Sequence, residues 1–77
     1  MSSLKYQLRS ILASISSEAQ TSSVKETKER YYLLKRICNS PKSVSKVCRS
    51  EGVSRSWFNK WGHRLKKYKS LKGLATQ

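Results

Sequence analysis

The chain has 77 residues, room for one small domain with a modest core. It carries 17 Lys and Arg against 4 Glu and no Asp, a formal charge of +13. Such a balance points to a polyanionic partner, nucleic acid ahead of an anionic membrane surface, and the lack of aspartate excludes an aspartate-built metal centre.

In chain order, the first pattern is an aliphatic stripe. Leu4, Leu8, Ile11, Leu12 and Ile15 recur at helical spacing and predict an amphipathic helix over 4–15, capped by Ser2 or Ser3. The stripe must be covered. It packs on the rest of the chain, or it pairs with a second copy to form a homodimer able to read two half-sites. A membrane-surface helix is a third option, weakened because the basic residues concentrate elsewhere. The Ser/Thr-rich stretch from Ser16 to Ser23 reads as a helix end and flexible connection.

Ser23 followed by Glu26 forms a capping box and opens a second helix from about Val24 to Cys38. Val24, Tyr31, Leu34, Ile37 and Cys38 make its apolar face, with Thr27 and Leu33 at the edges. Tyr31 and Tyr32 cannot both face inward. Glu26 with Arg30, and Lys25 with Glu29, stand at i, i+4 as ordinary surface pairs. Pro41 breaks this helix, and the next begins either at Pro41 with Ser40 as cap or, the favoured reading, at Val44 with Ser43 as cap, and ends near Ser50.

Gly52 then supplies a positive φ, and Ser54 caps a longer helix that buries Phe58, Trp61, Leu65 and, at its end, Tyr68. Trp57 is expected to be partly exposed. Cys48 is the small residue at which the two helices cross closely. Two helices joined by about three residues with a glycine in the turn make a helix-turn-helix, whose second helix can enter a DNA major groove. The expected organisation is therefore an N-terminal amphipathic helix and connection (1–22), a DNA-binding domain (23–70) and a flexible tail (71–77). The fold class is all-α.

The segment Cys48, Gly52, Val53, Ser54, Arg55 and Trp61, continued by Arg64 and the closing Gly73-Leu74, resembles the N-terminal helix-turn-helix of insertion-sequence transposases and related integrases. The likeness runs from about Val24 to Leu74, and Trp57 departs from it where that family has a small residue. The resemblance implies a homeodomain-like three-helix core and recognition of the ends of a mobile element. A stand-alone transcription regulator and a non-specific nucleoid protein are the alternatives.

Carried over position by position, the resemblance makes Ser54, Arg55, Ser56, Asn59, Lys60 and His63 the candidates for base contact. The chemistry fits: an Arg can pair bidentately with guanine and an Asn with adenine. Lys42, Lys46, Arg49, Arg64, Lys66 and Lys67 are the expected phosphate contacts. Charge is distributed to match. Residues 1–23 have a net charge of +1, residues 24–38 of +3 and residues 39–77 of +9. Phe58 and Trp61 are read as core rather than as base-stacking platforms.

No catalytic residues are expected, since the single histidine has no carboxylate or nucleophile beside it and the four glutamates lie on exposed faces or at the turn. Two cysteines and one histidine are too few for a structural zinc site, so no metal or cofactor is expected. Cys38 and Cys48 read as buried, reduced thiols, with a disulfide between them as the alternative. No apolar run approaches the ~20 residues of a membrane span and no secretory leader is evident, so the expected location is cytoplasmic, at the nucleoid if the source is bacterial.

Overall fold

A computed structural model describes residues 4–75. Within them the chain forms five α-helices and a closing 3-10 turn, with no strand among the described residues. The helices are α1 (Leu4–Ser14), α2 (Ser16–Thr21), α3 (Lys25–Asn39), α4 (Val44–Glu51) and α5 (Arg55–Tyr68); the 3-10 turn is Leu71–Leu74. No helix among the described residues is long and apolar enough to cross a membrane.

One cluster of buried side chains joins every element. Leu8 and Leu12 of α1, Tyr31, Leu34, Ile37 and Cys38 of α3, Val47 and Cys48 of α4, and Phe58, Trp61 and Leu65 of α5 all belong to it. Ala19 of α2 and Leu71 and Leu74 of the 3-10 turn complete it. The aliphatic stripe of α1 is thus covered inside one chain. Leu8, Leu12 and Ile15 are buried, and Leu4 and Ile11 pack partly against the same cluster. Of the five residues expected as a dimer seam, only Leu4 and Ile11 remain partly exposed. Gly62 marks where α1 crosses α5: a Cβ there would lie 2.8 Å from Leu8 Cδ1 and 3.2 Å from Leu4 Cδ2. At the start of α1, the Lys5 ammonium donates to the carbonyls of Ser40 (2.8 Å) and Lys42 (3.2 Å), tying the helix to the α3–α4 connection. The expected cap at Ser2 or Ser3 lies outside the described residues.

The structure corrects several local expectations. Residues 16–21 are helical rather than a loose connection, because Ala19 extends the buried stripe one turn past Ile15 and Thr21 Oγ1 donates back to the Ser17 carbonyl. Ser23 does not cap α3. Val24 occupies the cap position in an extended conformation, no side chain caps the helix, and Ser22 Oγ accepts from the Val24 amide. Val24 is consequently exposed instead of facing inward, while Thr27, expected at the edge, is buried. Arg30 is not a plain surface charge. Its side chain is 20 % exposed, 3.8 Å from Glu26, and its guanidinium lies over the Trp61 ring at 4.4 Å. Of the tyrosine pair, Tyr31 is buried and donates its hydroxyl to the Leu12 carbonyl, and Tyr32 is exposed.

The largest correction concerns the tail. Leu71, Gly73 and Leu74 are buried, so the described part of the segment expected to be flexible (71–77) is a docked lid on α5; residues 76–77 lie outside the described residues. Lys69 takes a left-handed conformation (φ 52°) and its amide bonds the Leu65 carbonyl, ending α5 and reversing the chain. Leu71 and Leu74 then occupy the core edge that Tyr68 was expected to reach, and Tyr68 is left 51 % exposed. Two long-range bonds fix the lid. Arg30 Nη1 donates to the Leu74 carbonyl at 2.8 Å, and the Leu71 amide donates to Glu18 Oε2 at 3.4 Å.

Candidate functional site

The α4–α5 connection is built from two caps and one glycine. Ser43 Oγ accepts from the Lys46 amide and opens α4. At its other end Gly52 adopts φ 77°, its amide bonding the Arg49 carbonyl while the Val53 amide bonds the Cys48 carbonyl. These paired bonds close a Schellman motif, and a non-glycine residue there would be strained. Ser54 Oγ accepts from the Trp57 amide at 3.1 Å and opens α5. Cys48 is buried at the crossing of the two helices, as its size requires.

With Phe58, Trp61, Gly62 and Leu65 turned into the core, α5 has one free side. Ser56, Asn59, Lys60, His63 and Lys67 are all exposed, and their spacing stacks them in a single stripe along it. Arg55 and Lys66 are exposed on the flank of that stripe. Beside Arg55 and Asn59 the start of α1 comes close: Leu4, Lys5, Val44 and Phe58 complete a hollow of about 220 Å³ with them. Burial pushes the Cys48 thiol above its ordinary pKa, and the charge of Arg55 opposes that shift. Ser54 is exposed, but its hydroxyl oxygen is engaged as the cap of α5, leaving its hydrogen free to donate.

The expected phosphate contacts divide. Lys42 in the connection, Lys46 and Arg49 on α4, and Lys66 and Lys67 on α5 are exposed. Arg64 is half-buried: its guanidinium sits 5.1 Å from the Trp61 ring and Nη2 donates to the Ala75 carbonyl at 3.4 Å. It holds the lid. Trp61 is therefore overlaid by Arg30 and Arg64, with the Lys60 ammonium 5.1 Å away. α5 carries no acidic residue, and Glu51 at the end of α4 is occupied by Arg36 at 2.9 Å. The stripe is consequently cationic and amide-bearing, suited to the hydrogen-bond acceptors and charge of a nucleic acid.

Sequence reasoning missed three supports of this face. Gly62 admits α1, Gly73 lets the lid close on α5, and Arg30 pins the lid from α3. A Cβ on Gly73 would sit 2.7 Å from the Arg64 carbonyl oxygen. Trp57 is half-buried against α3, sharing a shallow hollow with Glu26, Glu29, Arg30 and Leu33. Cys38 and Cys48 are free and buried; burial pushes the Cys38 thiol up to about 11, with Lys5 and Arg9 opposing the shift. Among the described residues no group of three or more His, Cys, Asp or Glu is placed to hold a metal ion. Comparison of the chain with protein families, curated proteins and solved structures finds no match.

Proposed function

We propose that the chain is a sequence-specific double-stranded DNA-binding module of the helix-turn-helix type, with α5 as its recognition helix in the major groove. The observation that carries the reading is the free side of α5: Ser56, Asn59, Lys60, His63 and Lys67 in one exposed stripe, on a helix with no acidic residue. A 14-residue helix is about 21 Å long, and the major groove, about 12 Å wide, admits one. Asn59 offers the bidentate geometry that reads adenine, and Arg55 at the flank can pair with guanine. Lys42, Lys46, Arg49 and Lys66, exposed outside the stripe, and Lys67 within it would neutralise phosphates.

The Gly-Val-Ser-Arg turn and the Gly-Leu ending support the narrower reading, recognition of mobile-element ends for a transposase or integrase, in a homeodomain-like arrangement of α3, α4 and α5. Selection of bound duplexes from a random pool tests the proposal. A defined motif is expected, and binding to it should survive a large excess of random duplex. Enrichment of no motif would reduce the function to charge-driven coating of DNA, the outcome that the net charge of +13 alone would produce.

A further inference from the structure

The charge on the α5 side leaves part of the basic surface unexplained. Between α1 and α3 runs a cleft of about 510 Å³ whose lining includes Arg9, Ser10, Ser16, Lys35 and Asn39 and no acidic residue. Arg9 and Lys35 are exposed at its mouth, and Lys28 lies two helical turns before Lys35 on the same side of α3. None of the three cations has an acidic partner among the described residues; the ion pairs engage Arg30 and Arg36 instead. Glu26 and Glu29 stand on another side of α3, with Leu33 and Trp57, so they do not neutralise this row. Tyr32, 42 % exposed beside the row, adds a phenolic donor.

This row looks away from the α5 stripe. Tyr31, Leu34 and Cys38 of α3 and Phe58, Trp61 and Leu65 of α5 meet in the same core, which lies between the two outward faces. A duplex lying along α5 leaves the α1–α3 face open. We propose that this face is a second phosphate-binding surface, built from Arg9, Lys28, Lys35 and the hydroxyls of the cleft, through which one copy of the protein holds a second DNA duplex. The inference rests on the DNA-binding reading above. Cations spread along about 10 Å of helix match the repeating charge of a phosphodiester backbone better than a single carboxylate. The face offers one guanidinium, Arg9, and one amide, Asn39, whose Nδ2 is committed to the Lys35 carbonyl, so it has no row of base-reading groups and the second duplex would be held without regard to sequence.

The test is a capture experiment with the full chain. A duplex bearing the selected site is immobilised, protein is bound below saturation, and a fluorescent duplex of random sequence is offered. The wild type should retain the second duplex. The triple variant Arg9→Gln, Lys28→Gln, Lys35→Gln should retain on the order of tenfold less or lower, because each lost phosphate contact removes about 0.9 from the salt slope of that step. Its affinity for the single selected duplex should change by less than about threefold, since none of the three residues lies on the α5 side. An unchanged melting temperature checks that the variant folds. Undiminished capture by the variant overturns the inference, as does capture that needs two protein molecules per complex or a wild type that binds one duplex and never a second. A wild type that binds no duplex at all overturns the DNA-binding reading itself, and the two failures are thereby distinguished.

Discussion

Asn59 and Lys67 share one stripe of α5, but an amide and an ammonium act differently on DNA. The amide makes directional bonds to a base edge; the ammonium is a point charge that any phosphate satisfies. Asn59→Ala should therefore cost roughly 1–3 kcal/mol on the selected site and leave random duplex nearly unaffected. Lys67→Ala should weaken both alike and flatten the salt slope by about one unit. Equal losses on both duplexes in the Asn59 variant, read by competition titration, would remove α5 from the role of recognition helix. The buried thiols report on the fold in a different way. The pKa of Cys38 is raised by burial from an ordinary 9.0 to about 11. The folded state thus keeps its proton where the unfolded chain has lost it, so stability is full below about pH 9 and declines as pH climbs toward 11. Denaturation midpoints should fall across that window and fall less in Cys38→Ala, while thiol reagents should modify neither cysteine until the chain opens.

At the scale of elements, what was legible in the sequence is what depends on neighbours within one turn. Gly52, Ser54 and Ser43 identified the α4–α5 unit because caps and left-handed turns are local chemistry. The period of Phe58, Trp61 and Leu65 marked the buried side of α5, and hence its free side, by the same logic. The closing turn was not legible. A 3-10 segment of 4 residues has little propensity of its own, and it exists because Arg30 and Glu18, 44 and 53 residues away in sequence, bond its carbonyl and amide. Arg64 was read only as a phosphate contact for that reason: its spacing on α5 does not reveal that its guanidinium lies by Trp61 and donates to the Ala75 carbonyl. Gly73 is the sharpest test of this element. Gly73→Ala forces a methyl to within 2.7 Å of a backbone oxygen that cannot move aside, which overpacking data place at about 1–3 kcal/mol. Denaturant melts should show that loss, together with faster proteolysis after Lys69. A variant as stable as the parent would mean that the lid contributes nothing to the fold.

For the molecule as a whole, the separation of two outward faces by one core governs the response to salt. Five exposed cations, Lys42, Lys46, Arg49, Lys66 and Lys67, are the proposed phosphate contacts. If each neutralises one phosphate, the logarithm of affinity should fall against the logarithm of salt with a slope near −4.5, at about 0.9 per contact. Arg64→Gln should leave that slope unchanged, because its charge is committed inside the molecule. A slope flattened by a full unit in this variant would return Arg64 to the DNA-facing set.

The indole of Trp61, 7 % exposed under two guanidiniums, has a practical consequence. With Trp57→Phe removing the other emitter, fluorescence would come from a ring whose surroundings include both tethers of the lid. Undocking the last turn would free Arg30 and Arg64 from its carbonyls, let water reach the ring and shift its emission to longer wavelength. The chain thus contains its own optical gauge of whether the C-terminal latch is shut, readable during a titration with DNA.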